Sequence, residues 1–113
     1  MSRPNSIRIG ATKWDIVWSE KKTKRHPEGN DRVLGLTIHK EQTIYIDDST
    51  KECGQKDTLL HEVLHAIMGV YSFAPSARGK ELEREEKLIC SMTPALLDTM
   101  QRNKKAFAWM MEG

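Results

Sequence analysis

The chain has 113 residues, with 18 Lys and Arg against 16 Asp and Glu, a net charge of +2, and hydrophobic and charged shares of 38% and 30%. Such a length holds one domain and leaves no room for a separate cofactor-binding lobe. The small net charge gives no reason to expect nucleic acid or an acidic membrane as a partner, and no apolar run approaches the roughly 18 residues of a membrane span.

The opening MSRPNSIRIG lacks the apolar stretch of a signal peptide. Cys53 and Cys90 lie far apart, without CxxC spacing; one disulfide is conceivable, but two free, partly buried thiols in a reducing cytosol fit better. Composition therefore predicts a small cytoplasmic domain and no function.

Up to about Asp48 the periodicity is two. Ile7 and Ile9 alternate with Arg8 in a short first strand, and Trp14, Ile16 and Trp18 share one face of a second. Ser19 to Arg32 is charged, contains Pro27 and Gly29, lacks apolar residues, and reads as a loop. Val33 to His39 and Thr43 to Asp47 resume strand composition around the turn Lys40-Glu41-Gln42, which predicts a hairpin.

Beyond Asp48 the periodicity turns helical. Ser49 followed by Glu52 fits a capping box. Leu59, Leu60, Val63, Leu64, Ile67 and Val70 keep helical spacing, and Gly69 with the Pro75-containing stretch to Gly79 ends that helix. A second helix runs from about Lys80, with Leu82, Ile89, Met92 and Leu96 on one face and Pro94 as a kink point. Asn103 and Lys104 separate it from a short tail helix carrying Phe107, Trp109 and Met110. The expected class is α+β: a small three- to four-stranded sheet, two main helices and a short C-terminal helix.

The chemistry lies in His61-Glu62-Val63-Leu64-His65. Positions four apart on a helix are neighbours, so His61 and His65 can hold one metal ion between them. Glu62 is rotated by about 100° from His61, past the metal and toward its water. Such a water has its pKa lowered to about 7, and an adjacent carboxylate can take its proton as general base. With four histidines and ten glutamates in the chain, a chance match to this short motif is expected at roughly the 1% level. The bland alternative is two histidines and a glutamate half solvated on a helix edge.

A catalytic zinc site normally has three protein ligands. His26 and His39 lie upstream, in a loop and a strand, leaving Glu81, Glu83, Glu85 and Glu86 of the second helix. With Leu82, Ile89 and Leu96 as the buried stripe, Glu85 and Glu86 flank it on opposite sides, whereas Glu81 and Glu83 point away. Most of these acidic residues are accounted for as a solvated helix start that complements the dipole.

HEVLHA, followed about twenty residues later by EEKLI on a helix, resembles the minimal gluzincin metallopeptidases, among them small phage-encoded ones, and more distantly the ImmA/IrrE-type proteases. The resemblance spans Val33 to about Trp109, with the motifs themselves at Leu59–Ile67 and Glu85–Leu96. It implies Zn2+ held by His61, His65 and Glu86, the last because Ile89 and Met92 continue the family's pattern, with Glu85 as runner-up. It implies Glu62 as general base and a peptide or protein as substrate, in the host cytoplasm if the gene is a phage's. The chain departs from the pattern in Pro94 and in the short gap between motifs.

Three further features invite a role. Thr43 to Asp47, if an edge strand beside the metal, would align an extended peptide; a core strand under the helix is the plainer reading. Tyr71 would stabilise an oxyanion or simply cap the core. The run Lys21, Lys22, Lys24, Arg25 and His26 suits a solvated loop better than DNA. The function expected is thus a zinc metallopeptidase. The alternative is a zinc-stabilised, non-catalytic module that binds a host or phage partner, and a weaker third is a DNA-associated regulator.

Overall fold

The computed structural model describes residues 2–31, 33–71 and 79–112. The class is α+β: strands β1 (Ser6–Ile9), β2 (Thr12–Trp18), β3 (Gly35–Ile38) and β4 (Thr43–Ile46) form one sheet, and α1 (Glu20–Arg25), α2 (Glu52–Val70), α3 (Lys80–Arg102) and α4 (Lys104–Met111) are its helices. The strand order is β1-β2-β4-β3, with β1–β2 and β3–β4 antiparallel and β2–β4 parallel.

Strand alternation decides which residues meet α2. Register places Ile7 beside Trp14, Ile16 beside Ile44 and Thr37 beside Ile44 on its other flank. Ile9, Trp14, Ile16, Ile44 and Ile46 form the core with Val63 and Ala66 of α2. On β3 the same alternation turns Gly35 and Thr37, both small, toward the helix.

Several expectations need correction. Thr43 to Asp47 is not an edge: β4 is paired on both sides, and the edge strand next to α2 is β3. The core-strand reading is the one observed, with Ile44 and Ile46 fully buried. The segment predicted as loop contains α1. Its signal is polar: Ser19 accepts from the Lys22 amide at 3.2 Å, Glu20 stands in the first turn, and Lys22, Lys24 and Arg25 in the last. Its one buried residue is Thr23, so no apolar periodicity marks it.

The capping box is absent. Ser49 spends its hydroxyl on Asp47 Oδ1 at 2.6 Å, a charged acceptor, and α2 begins later, with Lys51 as N-cap. Pro75 lies outside the described residues. α3 runs through Pro94, which has no N–H to give the Cys90 carbonyl. Its buried residues are Glu85, Ile89 and Thr93, while Leu82 and Met92 of the expected stripe are exposed. Both cysteines are free, and both are exposed rather than partly buried. Among the described residues, no helix is long and apolar enough to cross a membrane.

Ile44→Ala is expected to cost about 2–5 kcal/mol, because the fixed sheet cannot collapse into the cavity left behind. The midpoint of urea unfolding measures it, and a change under about 1 kcal/mol would contradict a core centred on β4.

Candidate metal centre

α2 packs its Val63–Ala66 side on the sheet and carries His61 and His65 on the flank that faces α3. Their rings lie 4.9 Å apart between centroids, as i and i+4 placement dictates. α3 brings two adjacent glutamates to this flank, and they do different things.

Glu86 lies between the imidazoles. Its Oε1 is 3.0 Å from His61 Nε2 and its Oε2 is 2.8 Å from His65 Nε2. Its side chain is 47% exposed, and that of Glu85 only 7%. Glu85 reaches the other ring nitrogen, Nδ1 of His65, at 2.6 Å. A carboxylate on Nδ1 fixes ring orientation and leaves Nε2 for the site, the usual arrangement behind a metal-ligating histidine. Glu85, placed at the edge of the stripe by the sequence, is thus in its centre, with Ile89 and Thr93 one and two turns on.

Glu62 projects to the other side of His61. Thr37 donates its hydroxyl to Glu62 Oε1 at 2.7 Å and stands 3.0 Å from the Glu62 carbonyl. The other carboxylate oxygen is 3.9 Å from His61 Nε2. Burial pushes the Glu62 carboxyl above the usual carboxylate range, against the Thr37 hydrogen bond and the two imidazoles, which pull it down. Burial also tends to raise Glu86, but the Cys90 thiol and both imidazoles outweigh it and hold this carboxyl below its ordinary value.

Imidazole nitrogen and carboxylate oxygen are donor types that a divalent ion takes. Tetrahedral ligands about 2.0–2.1 Å from zinc stand roughly 3.3 Å apart. The separations of 3.0 and 2.8 Å around Glu86 are hydrogen-bond distances to its two different oxygens, so an ion shared by both imidazoles would require these side chains to open around it. Three carboxylates gathered on two imidazoles also make a cation a suitable occupant. Among the described residues, donor atoms of His61, Glu86 and Cys90 all lie within 4.8 Å of one another.

The structure therefore brings together His61, His65, Glu86 and Glu62, with Glu85 behind His65. The other histidines go elsewhere. His26 pairs with Glu41 at 3.1 Å. His39 covers Gly69, where a Cβ would stand 2.3 Å from its ring, and burial lowers its pKa. Tyr71 is exposed and lies against Gly10 in the β1–β2 turn, so nothing in its position supports an oxyanion role.

Sequence reasoning missed Gly35, Thr37 and Cys90. A Cβ on Gly35 would come within 2.7 Å of Thr58 Cγ2 and 2.9 Å of Glu62 Cγ, so only glycine lets α2 lie this close to the edge strand. Neither strand residue has a signal in sequence, because both act across a tertiary contact. Cys90 does: it follows Glu86 by the same four residues that separate the histidines. Comparison with models of protein families, with curated proteins and with solved structures finds no match for this chain.

Two substitutions probe the geometry. Gly35→Ala should destabilise the protein by about 1–3 kcal/mol through overpacking; an unchanged thermal midpoint would mean that helix and strand stand further apart. In metal-free protein, Glu85→Ala should cost about 1–3 kcal/mol, since it leaves the buried Nδ1 of His65 without its hydrogen-bond partner, whereas half-exposed Glu86→Ala should cost under about 1 kcal/mol. Equal urea midpoints for the two variants would refute the division of labour between these glutamates.

Proposed function

We propose that the protein is a zinc-dependent metallopeptidase whose ion is held by His61, His65 and Glu86, with Glu62 as general base. The observation that carries this reading is the single carboxylate of Glu86 set against Nε2 of both histidines, with a second, buried carboxylate on Nδ1 of one of them. A divalent ion at these donors supplies Lewis-acid polarisation of a carbonyl and water of lowered pKa. Glu62 holds the next position. Thr37 orients one of its oxygens, and the other is left to take a proton from water and return it to the leaving amine. The raised affinity of its carboxyl for protons suits an acceptor that must later give the proton back. β3, the open edge beside Glu62, replaces β4 as the strand against which an extended peptide would pair.

A second reading is favoured by the thiol of Cys90 beside Glu86: an ion that ties α2 to α3 in a module binding a host or phage partner, with no turnover. Chelation separates the two. A folded but inactive apoprotein supports the peptidase; loss of the circular-dichroism signal on chelation supports the staple.

Glu62→Gln is the direct test. Purified variant and wild type should each carry one zinc per chain, by elemental analysis, and the variant alone should fail to cleave an unstructured peptide mixture. Turnover retained by Glu62→Gln would remove it as the base. Zinc retained by His61→Ala at the wild-type level would remove the site.

A further inference from the structure

The two helices present donors in the same pattern. α2 offers His61 and His65, four residues apart, and α3 offers Glu86 and Cys90, also four apart. On a helix that spacing stacks two side chains on one face, one turn above the other. The two pairs face each other. Cys90 donates its thiol to Glu86 Oε1 at 3.3 Å, the same oxygen that stands 3.0 Å from His61 Nε2. The thiol is therefore an immediate neighbour of the first histidine's carboxylate partner and not a bystander on the outer face of α3.

We infer that Cys90 is a fourth metal donor, so that the centre is a closed set of two imidazoles, one carboxylate and one thiolate. The inference rests on the reading that His61, His65 and Glu86 hold an ion. Sulfur and nitrogen donors about 2.3 and 2.0 Å from zinc stand roughly 3.5 Å apart. Donor atoms of His61, Glu86 and Cys90 already lie within 4.8 Å of one another; His65 is outside that group and meets it through the other oxygen of Glu86, 2.8 Å from its Nε2, so rotation of these side chains would have to complete the set. Pro94 gives the Cys90 carbonyl no amide partner, so this turn of α3 lacks one of the bonds that would hold it rigid. Thiolate is also the softest donor at the site and the one that best selects zinc over magnesium or calcium. As the sulfur–metal bond forms, the thiol proton is released to solvent; no electron is transferred.

A four-donor set has a consequence that three donors lack. Closed tetrahedral centres are structural or latent, while catalytic ones keep a position open. In the resting protein the ion would be capped by Cys90, and hydrolysis would require the sulfur to leave. The exposure of Cys90 gives it the room to do so.

Cobalt reports sulfur ligation directly, through a near-ultraviolet sulfur-to-cobalt charge-transfer band that oxygen and nitrogen donors do not produce. Metal-free full-length protein is titrated with Co2+ alone, in wild type, Cys90→Ser, Cys90→Ala and Cys53→Ser. Cys53, on the first turn of α2, is the control thiol. The band should appear in wild type and Cys53→Ser and vanish in both Cys90 variants, which should still bind cobalt but at least about tenfold more weakly. Cobalt bound by wild type without the band, or a band that survives in Cys90→Ser, overturns the role of Cys90 and leaves the three-donor site standing. Failure of wild type to bind cobalt at all overturns both. Circular dichroism of the exposed-site Cys90 variants shows whether weakened binding reflects a lost ligand or a lost fold, and an unfolded variant with an unfolded alanine counterpart would mean that Cys90 serves packing instead.

Discussion

The meeting of α2 and α3 depends on one buried polar pair, His65 Nδ1 with Glu85 Oε2 at 2.6 Å. Ile89 is the buried apolar residue of α3 among those described; the other two buried positions are Glu85 and Thr93. Thr93 spends its hydroxyl on its own helix, on the Ile89 carbonyl. Among the described residues, Ile89 is thus the one fully buried apolar side chain that α3 contributes, and a buried polar contact seldom stabilises more than a hydrophobic one of equal volume. What such a pair does supply is register. With Glu85 fixed on His65, the 100° step of the helix sets Glu86 in front of both Nε2 atoms, and one turn later Cys90 follows.

α2 is held independently of that contact. Its Val63 and Ala66 sit in the sheet core with Ile44 and Ile46, and its Glu62 is anchored to β3 by Thr37. The two sides of the site thus have different rigidity by construction. Glu62 is fixed to a sheet edge through a hydroxyl and a missing side chain at Gly35, whereas Glu86 stands on a helix whose fully buried row is Glu85, Ile89 and Thr93. In the proposed mechanism the base, Glu62, would lie on the stiff side and the ligand that would have to adjust to admit an ion, Glu86, on the compliant one.

The local periodicities were legible and the tertiary choices were not. HEVLH declares its own geometry because both histidines belong to one helix, and no docking is needed to bring them side by side. Glu85 and Glu86 could not be separated that way. Which of two adjacent residues faces α2 depends on the rotation of α3, and the apolar pattern used to set that rotation was misleading, since Leu82 and Met92 are exposed. The buried row is Glu85, Ile89 and Thr93, polar at two of its three positions. α1 was invisible for the same reason: its one buried side chain is a threonine and its start is a serine cap. Sequence order could not decide between edge and core for Thr43 to Asp47; the parallel pairing of β2 with β4 decides it, placing β4 in the interior.

On both helices adjacent residues divide one task between them. His61 turns to Glu86 and Glu62 turns to Thr37; Glu86 turns to the two Nε2 atoms and Glu85 to Nδ1. In each case a rotation of about 100° gives two adjacent residues different partners. Each support comes from a different element than the residue it holds, Glu85 of α3 for His65 of α2 and Thr37 of β3 for Glu62 of α2. Cysteine spacing was uninformative when weighed by the CxxC rule. On a helix the meaningful interval is four, and at that interval Cys90 pairs with Glu86, as His65 pairs with His61.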